Sequence, residues 1–181
     1  MKLAKRLVLT TTAVAAAAAA TLLGTTTVQA ASERPAHIPA VHAPAALKVP
    51  AGNKLTAVYS ARGVQTYTCT DGAWKFLEPA AVLSDRAHRP VALHSRGPVW
   101  VSTVDGSAVN ASAVASSPKD GAIPELLLKA TATRGTGVFG DVTYVQRLNT
   151  TGGVAPAGAC TGTEQAGVRY TATYAFYKAA E

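Results

Sequence analysis

Between Val64 and Leu77 the chain reads VQTYTCT, then Asp71-Gly72, then AWKFL, and no other stretch constrains the fold as much. Both residues of a two-residue hairpin turn need positive φ, which Asp-Gly tolerates, and alternating runs on either side supply the two strands. The register follows: Thr70 opposite Ala73, Cys69 opposite Trp74, Thr68 opposite Lys75 and Tyr67 opposite Phe76. Alternation then puts Gln65, Tyr67, Cys69, Trp74 and Phe76 on the core side, and Thr66, Thr68, Thr70 and Lys75 on the polar side. A slip of one residue would push two aromatics and the cysteine into water, so the pattern fixes its own register.

Similar alternation recurs along the chain. VRYTATYAFY, Val168 to Tyr177, places Val168, Tyr170, Ala172, Tyr174 and Phe176 on one face of a half-buried strand. DVTYVQRLN, Asp141 to Asn149, reads as another, with Val142, Tyr144 and Leu148 sharing a face. Weaker strand signals lie at Lys54 to Ser60, Pro90 to His94 and Pro98 to Val104, the last running into a second Asp-Gly turn at Asp105-Gly106. IPELLLKATA breaks the series: Pro124 suits a first helical position, Glu125 the first turn and Lys129 a later one, which predicts a short helix from about Pro124 to Ala132. The fold class is therefore mainly β, an antiparallel β-sandwich or β-barrel with one short helix. Periodicity does not choose between sandwich and barrel.

The N-terminus carries Lys2, Lys5 and Arg6, then an Ala/Leu/Val stretch broken by threonines, then small residues ending at Ala30. That is the three-part plan of a secretory signal over residues 1–30, diluted below the roughly 20 strongly apolar residues of a membrane span. Residues 31–49 follow with Pro35, Pro39 and Pro44 among alanines and no period, a composition that predicts an extended tail or linker. His37 and His42 sit there without further ligands, so no metal site is expected. Removing 30 of the 181 residues leaves 151, and residues 50–181 read as a single β-rich domain. The expectation is a secreted, extracellular protein with no membrane attachment once the signal is cleaved.

Two cysteines, Cys69 and Cys160, make an even count for an oxidising compartment, without the C-x-x-C spacing of a redox or metal pair. One structural disulfide is predicted. Closing a loop of about 90 residues would remove roughly 4 to 5 kcal/mol of chain entropy from the unfolded state, comparable to a small domain's net stability. The formal charge of +7 falls to +4 when Lys2, Lys5 and Arg6 leave with the signal. No run of Lys and Arg interleaves with aromatics, so nucleic acid is not an expected partner.

The ordered motifs GVQTYTC (63–69), AWKFLEPAAVL (73–83), HSRGPVWVSTVDGSAV (94–109), IPELLLKA (123–130), GTGVFGDVTYVQRLNTTGGVAPAGAC (135–160) and YTATYAFY (170–177) resemble those of one family. It is the domain-of-unknown-function family 3455, small exported proteins of bacteria and fungi, and the likeness spans residues 49 to 179. An aromatic usually follows the Ile-Pro of that pattern; here the position is Glu125. The resemblance implies an exported β-rich fold and brings no known substrate or catalytic residue.

Two motifs could carry chemistry, and context refuses both. Gly135, Gly137 and Gly140 spell G-x-G-x-x-G, but an alternating strand follows where a dinucleotide fold needs a helix. Ser116 and Lys119 match S-x-x-K without the S-D-N and K-T-G elements that chemistry requires. No G-x-S-x-G or H-E-x-x-H occurs. No cofactor is expected. The polar residues among apolar neighbours remain: Gln65, Tyr67, Trp74, His94 and Trp100 form an aromatic-plus-polar set suited to a ligand pocket, with Asp105 at the end of the following strand. A non-catalytic binding module for a small molecule or a cell-envelope component is the first reading. An extracellular enzyme using His94 as general base with Asp105 or Asp85 is the second.

Overall fold

The Asp71-Gly72 turn forms with φ of 52° and 74°, and it joins two strands in the register read from the sequence, Thr70 opposite Ala73 through Tyr67 opposite Phe76. The structure, a computed structural model, describes residue 38 and residues 40–181. The expected signal sequence, and the first part of the Pro/Ala-rich segment with His37, lie outside these residues.

Eight strands follow one another: β1 (Asn53–Thr70), β2 (Ala73–Ser84), β3 (Pro90–Ser95), β4 (Val99–Ser102), β5 (Ala108–Ser117), β6 (Glu125–Arg134), β7 (Val142–Gly152) and β8 (Gln165–Ala179). Each pairs antiparallel with its sequence neighbours, and β8 pairs back onto β1, so the sheet closes as a barrel. Closure decides between barrel and sandwich, and it leaves no edge strand among the described residues. The interior is one continuous core in which Trp100, Tyr174, Phe139, Phe176 and Val145 are almost wholly buried. Tyr170, Ala172, Tyr174 and Phe176 point into it as β8's alternation predicts, while Val168 is only partly covered.

The short helix predicted over Pro124 to Ala132 is a strand instead, β6; the one helical turn described is a 3-10 turn at Ala45–Leu47. The reason is burial on both sides. Leu128 faces the barrel core, whereas Leu127 points outward into a second apolar cluster with Leu47 and Leu148. A run of leucines covered on both faces loses the alternation by which a strand is recognised. Glu125 carries two contacts here: its Oε1 accepts from Lys119 Nζ at 3.2 Å and from the Asn149 amide at 2.7 Å.

The second cluster shows that residues 41–49, the described end of the segment read as tail or linker, pack on the barrel. Val41, Ala43 and Val49 pack with fully buried Leu47 against the outside of β6 and β7. The Leu47 carbonyl accepts from Gln146 Nε2 at 2.6 Å, and Gln146 Oε1 in turn accepts from the Tyr177 hydroxyl at 2.7 Å. Strand β7 differs too. The pairing with β8 shifts between Val142 and Tyr144, so Val142 and Val145 enter the core while Tyr144 and Leu148 turn outward to the Leu47 cluster. The bulge moves Arg147 from the expected solvent side to the inner one, opposite Leu126 and Tyr174.

The disulfide forms between Cys69 and Cys160, 91 positions apart in sequence, with Cα atoms 5.7 Å apart. It ties the end of β1 to the β7–β8 connection, and the Cys160 amide donates to the Gly72 carbonyl at 3.2 Å.

Candidate functional site

Strands β1 and β2 carry inward residues past the last core layer at the end of the barrel where the disulfide sits, and there the interior opens into a cavity of about 560 Å³. That volume lies within the range of small-molecule sites. Gln65 and Tyr67 from β1, Phe76 and Pro79 from β2, His94 from β3, Trp100 from β4, Leu128 from β6, Arg147 from β7 and Tyr174 from β8 contribute to its wall. Phe76 has inward register yet is 55% exposed, because it stands at the open rim. The opposite end is closed. There Phe139 packs on Phe176 with ring centroids 4.6 Å apart and meets Tyr59 edge-on at 6.5 Å.

Two buried donors in this wall have no partner: Gln65 Nε2, on a residue 2% exposed, and Trp100 Nε1, on a residue 1% exposed. Leaving such a group unsatisfied costs about 1–3 kcal/mol, so neither is a neutral choice for a core. Gln65 is held by close packing. Gly153, at φ +79°, brings the β7–β8 connection so near that a Cβ there would lie 3.1 Å from Gln65 Cγ and 2.9 Å from Tyr170 Cβ. The Gly153 carbonyl accepts the Tyr67 hydroxyl at 2.6 Å, which fixes that ring at the rim.

His94 lies flat against Trp100 and also meets Tyr174 edge-on at 5.2 Å. Its Nδ1 is 3.0 Å from the Val99 carbonyl, and a carbonyl only accepts, so Nδ1 carries the proton and Nε2 the lone pair. Burial pushes its pKa down to about 4, the Val99 hydrogen bond opposing that shift, so the ring is neutral at neutral pH. Burial likewise raises Tyr67, Tyr170 and, most strongly, Tyr174. The Gln65 amide comes near enough to the Tyr170 hydroxyl to oppose part of that rise, although its Nε2 reaches no hydrogen-bond partner. The wall therefore holds neutral rings and two cations. Arg96, at the rim, pairs with Glu78 at 3.1 Å. Arg147 donates twice to the Pro124 carbonyl, at 3.1 and 2.9 Å, and is within ion-pair distance of no carboxylate among the described residues.

Of the residues singled out from the sequence, Gln65, Tyr67, His94 and Trp100 line one cavity. Trp74 and Asp105 do not. Trp74 has inward register beside Cys69 but sits at the hairpin tip, beyond the cavity. Asp105 follows β4 at the closed end, where it accepts from the Ser107 hydroxyl at 2.6 Å, the Ser107 amide at 2.9 Å and the Val138 amide at 3.0 Å. These bonds, first among them that from the Ser107 hydroxyl, hold its carboxyl far below the usual carboxylate range. The position of Asp105 also requires glycine at 137, where a Cβ would lie 2.5 Å from its carboxylate. Asp85 is bound to Arg89 at 2.7 Å and to the Ala87 and Arg89 amides. The carboxylates proposed as partners of His94 are thus engaged elsewhere. Arg147 escaped the sequence reading altogether, because only the bulge in β7 brings it inward.

No curated protein and no solved structure matches the chain. One family model does, across residues 50–178, under the description protein of unknown function. The match covers the whole barrel from the residues before β1 into β8, and the chain belongs to this family, DUF3455.

Proposed function

We propose that this protein is an exported, non-catalytic binding module that holds a small molecule in the open end of its barrel. The observation that carries the reading is the pair of partnerless buried donors, Gln65 Nε2 and Trp100 Nε1, in the wall of one cavity. Two such groups cost stability in the empty protein and gain hydrogen bonds from a guest with acceptor atoms. A small molecule fits a cavity inside the barrel better than a polymeric envelope component does; a soluble envelope fragment fits equally well. Export is supported by the N-terminal charge-apolar-small plan and the Cys69–Cys160 bridge. Among the described residues no helix is long and apolar enough to cross a membrane.

The test is mass spectrometry of small molecules that remain on protein purified from its native medium, beside an Ala113→Trp variant that fills the cavity from β5. Retention of a stoichiometric compound by the parent and its loss from the variant is the expected result. Equal retention by both, or a bare parent protein, contradicts it.

A further inference from the structure

The donors in the cavity are not balanced by acceptors, and that imbalance specifies a guest. Gln65 Nε2 and Trp100 Nε1 are buried without partners, and neither Asp nor Glu lines the wall. Arg147 faces the same space with a guanidinium that spends two N–H groups on one carbonyl and meets no carboxylate. Gln65 acts on the Tyr170 hydroxyl and Arg147 on the Tyr174 hydroxyl, and the two hydroxyls are 3.4 Å apart. A guanidinium fork and an amide N–H₂ in one cavity wall are donors suited to a planar two-oxygen anion. Around it the wall is apolar or aromatic.

We propose that the cavity takes a small monoanionic carboxylate with a flat apolar body, its carboxylate at Arg147 and Gln65 and its body against Trp100, Tyr174 and Leu128. The proposal rests on the binding-module reading and adds the charge and shape of the guest. A phosphate uses similar donors, but a dianion in an apolar pocket facing one unpaired cation leaves a charge uncompensated. The structure therefore favours one negative charge.

Three probes with a shared ring system separate the possibilities: 1-naphthaleneacetate, its neutral amide 1-naphthaleneacetamide, and 1-naphthyl phosphate. Each is titrated at pH 7.5 into the full chain and followed by tryptophan fluorescence and calorimetry. The acid is expected to bind about tenfold or more tighter than the amide, the margin of a charge-assisted hydrogen bond, and tighter than the phosphate. Arg147→Met is expected to bring the acid-to-amide ratio near one, and Arg147→Lys to keep part of the preference. Circular dichroism confirms that each variant is folded. Amide binding as tight as acid, or phosphate binding tighter than acid, overturns the carboxylate inference and leaves the cavity reading standing. Failure of all three probes to bind overturns both.

Discussion

The His94 imidazole lies parallel to the Trp100 indole, ring centroids 4.4 Å apart and planes 4° from parallel, at the inner end of the cavity. The stack keeps a titratable ring in the core, and its protonation is coupled to folding. Folded protein holds His94 neutral down to about pH 4, while the unfolded chain takes up the proton near 6.5. The unfolded state therefore binds more protons in that window, and stability falls as pH drops from about 6.5 towards 4, by roughly 3 kcal/mol in all. Urea unfolding of the parent and of His94→Phe across this range checks it. The variant is expected to lose less stability on acidification, and parallel curves would show that His94 does not carry the effect.

Gln65→Met removes the unpartnered amide while keeping the length of the side chain. Ligand-free protein is expected to gain about 1 kcal/mol of stability, since a buried unsatisfied donor disappears. Affinity for 1-naphthaleneacetate is expected to fall at the same time. Opposite movement of unfolding free energy and binding constant is the signature; a loss in both would mean that Gln65 serves the empty fold.

Leu47 is 0% exposed although it precedes the barrel. Leu47→Ala is expected to cost about 2–4 kcal/mol, as for other fully enclosed leucines, because Leu127 and Leu148 lose their cover. Equilibrium denaturation measures this directly. A change below about 0.5 kcal/mol, the scale of surface substitutions, would return residues 41–49 to the status of a linker.

At the closed end, Gly137→Ala places a methyl group 2.5 Å from the Asp105 carboxylate at φ +151°. Thermal unfolding is expected at a lower temperature, with a loss of about 1–3 kcal/mol from strain. Asp105→Ala, which frees the Ser107 and Val138 amides, is expected to destabilise in the same direction. Binding of naphthalene probes should be unchanged in both, since neither residue lines the cavity. A binding defect in folded Asp105→Ala would restore that residue to the ligand site.

What was legible in the sequence is what alternation and turn chemistry encode locally. The Asp71-Gly72 hairpin, β8 and the cysteine pair needed only a period of two, a positive-φ turn and a parity argument. Gln65, Tyr67, His94 and Trp100 were recognisable as polar or aromatic residues on such strands. The helix expected at Pro124 to Ala132 failed for a non-local reason: the outer face of β6 is covered by residues from before the barrel, which no window around it contains. Arg147 was hidden by the register shift between Val142 and Tyr144. Further along the same strand, Asn149, at a φ of 50°, donates its amide to Glu125 of β6, 24 residues away. Asp105 was misplaced because closeness to Trp100 in sequence says nothing about which end of a four-residue strand opens to solvent.

The chain has two tryptophans, Trp74 outside the cavity and Trp100 in its wall with a free indole N–H. Their two indole signals in a ¹H–¹⁵N spectrum, followed while neutral 1-naphthaleneacetamide is added, report on the site with an internal control. A saturable shift of the Trp100 signal with Trp74 unmoved is the expected result. An unmoved Trp100 signal, or a shift confined to Trp74, would contradict a binding site inside the barrel.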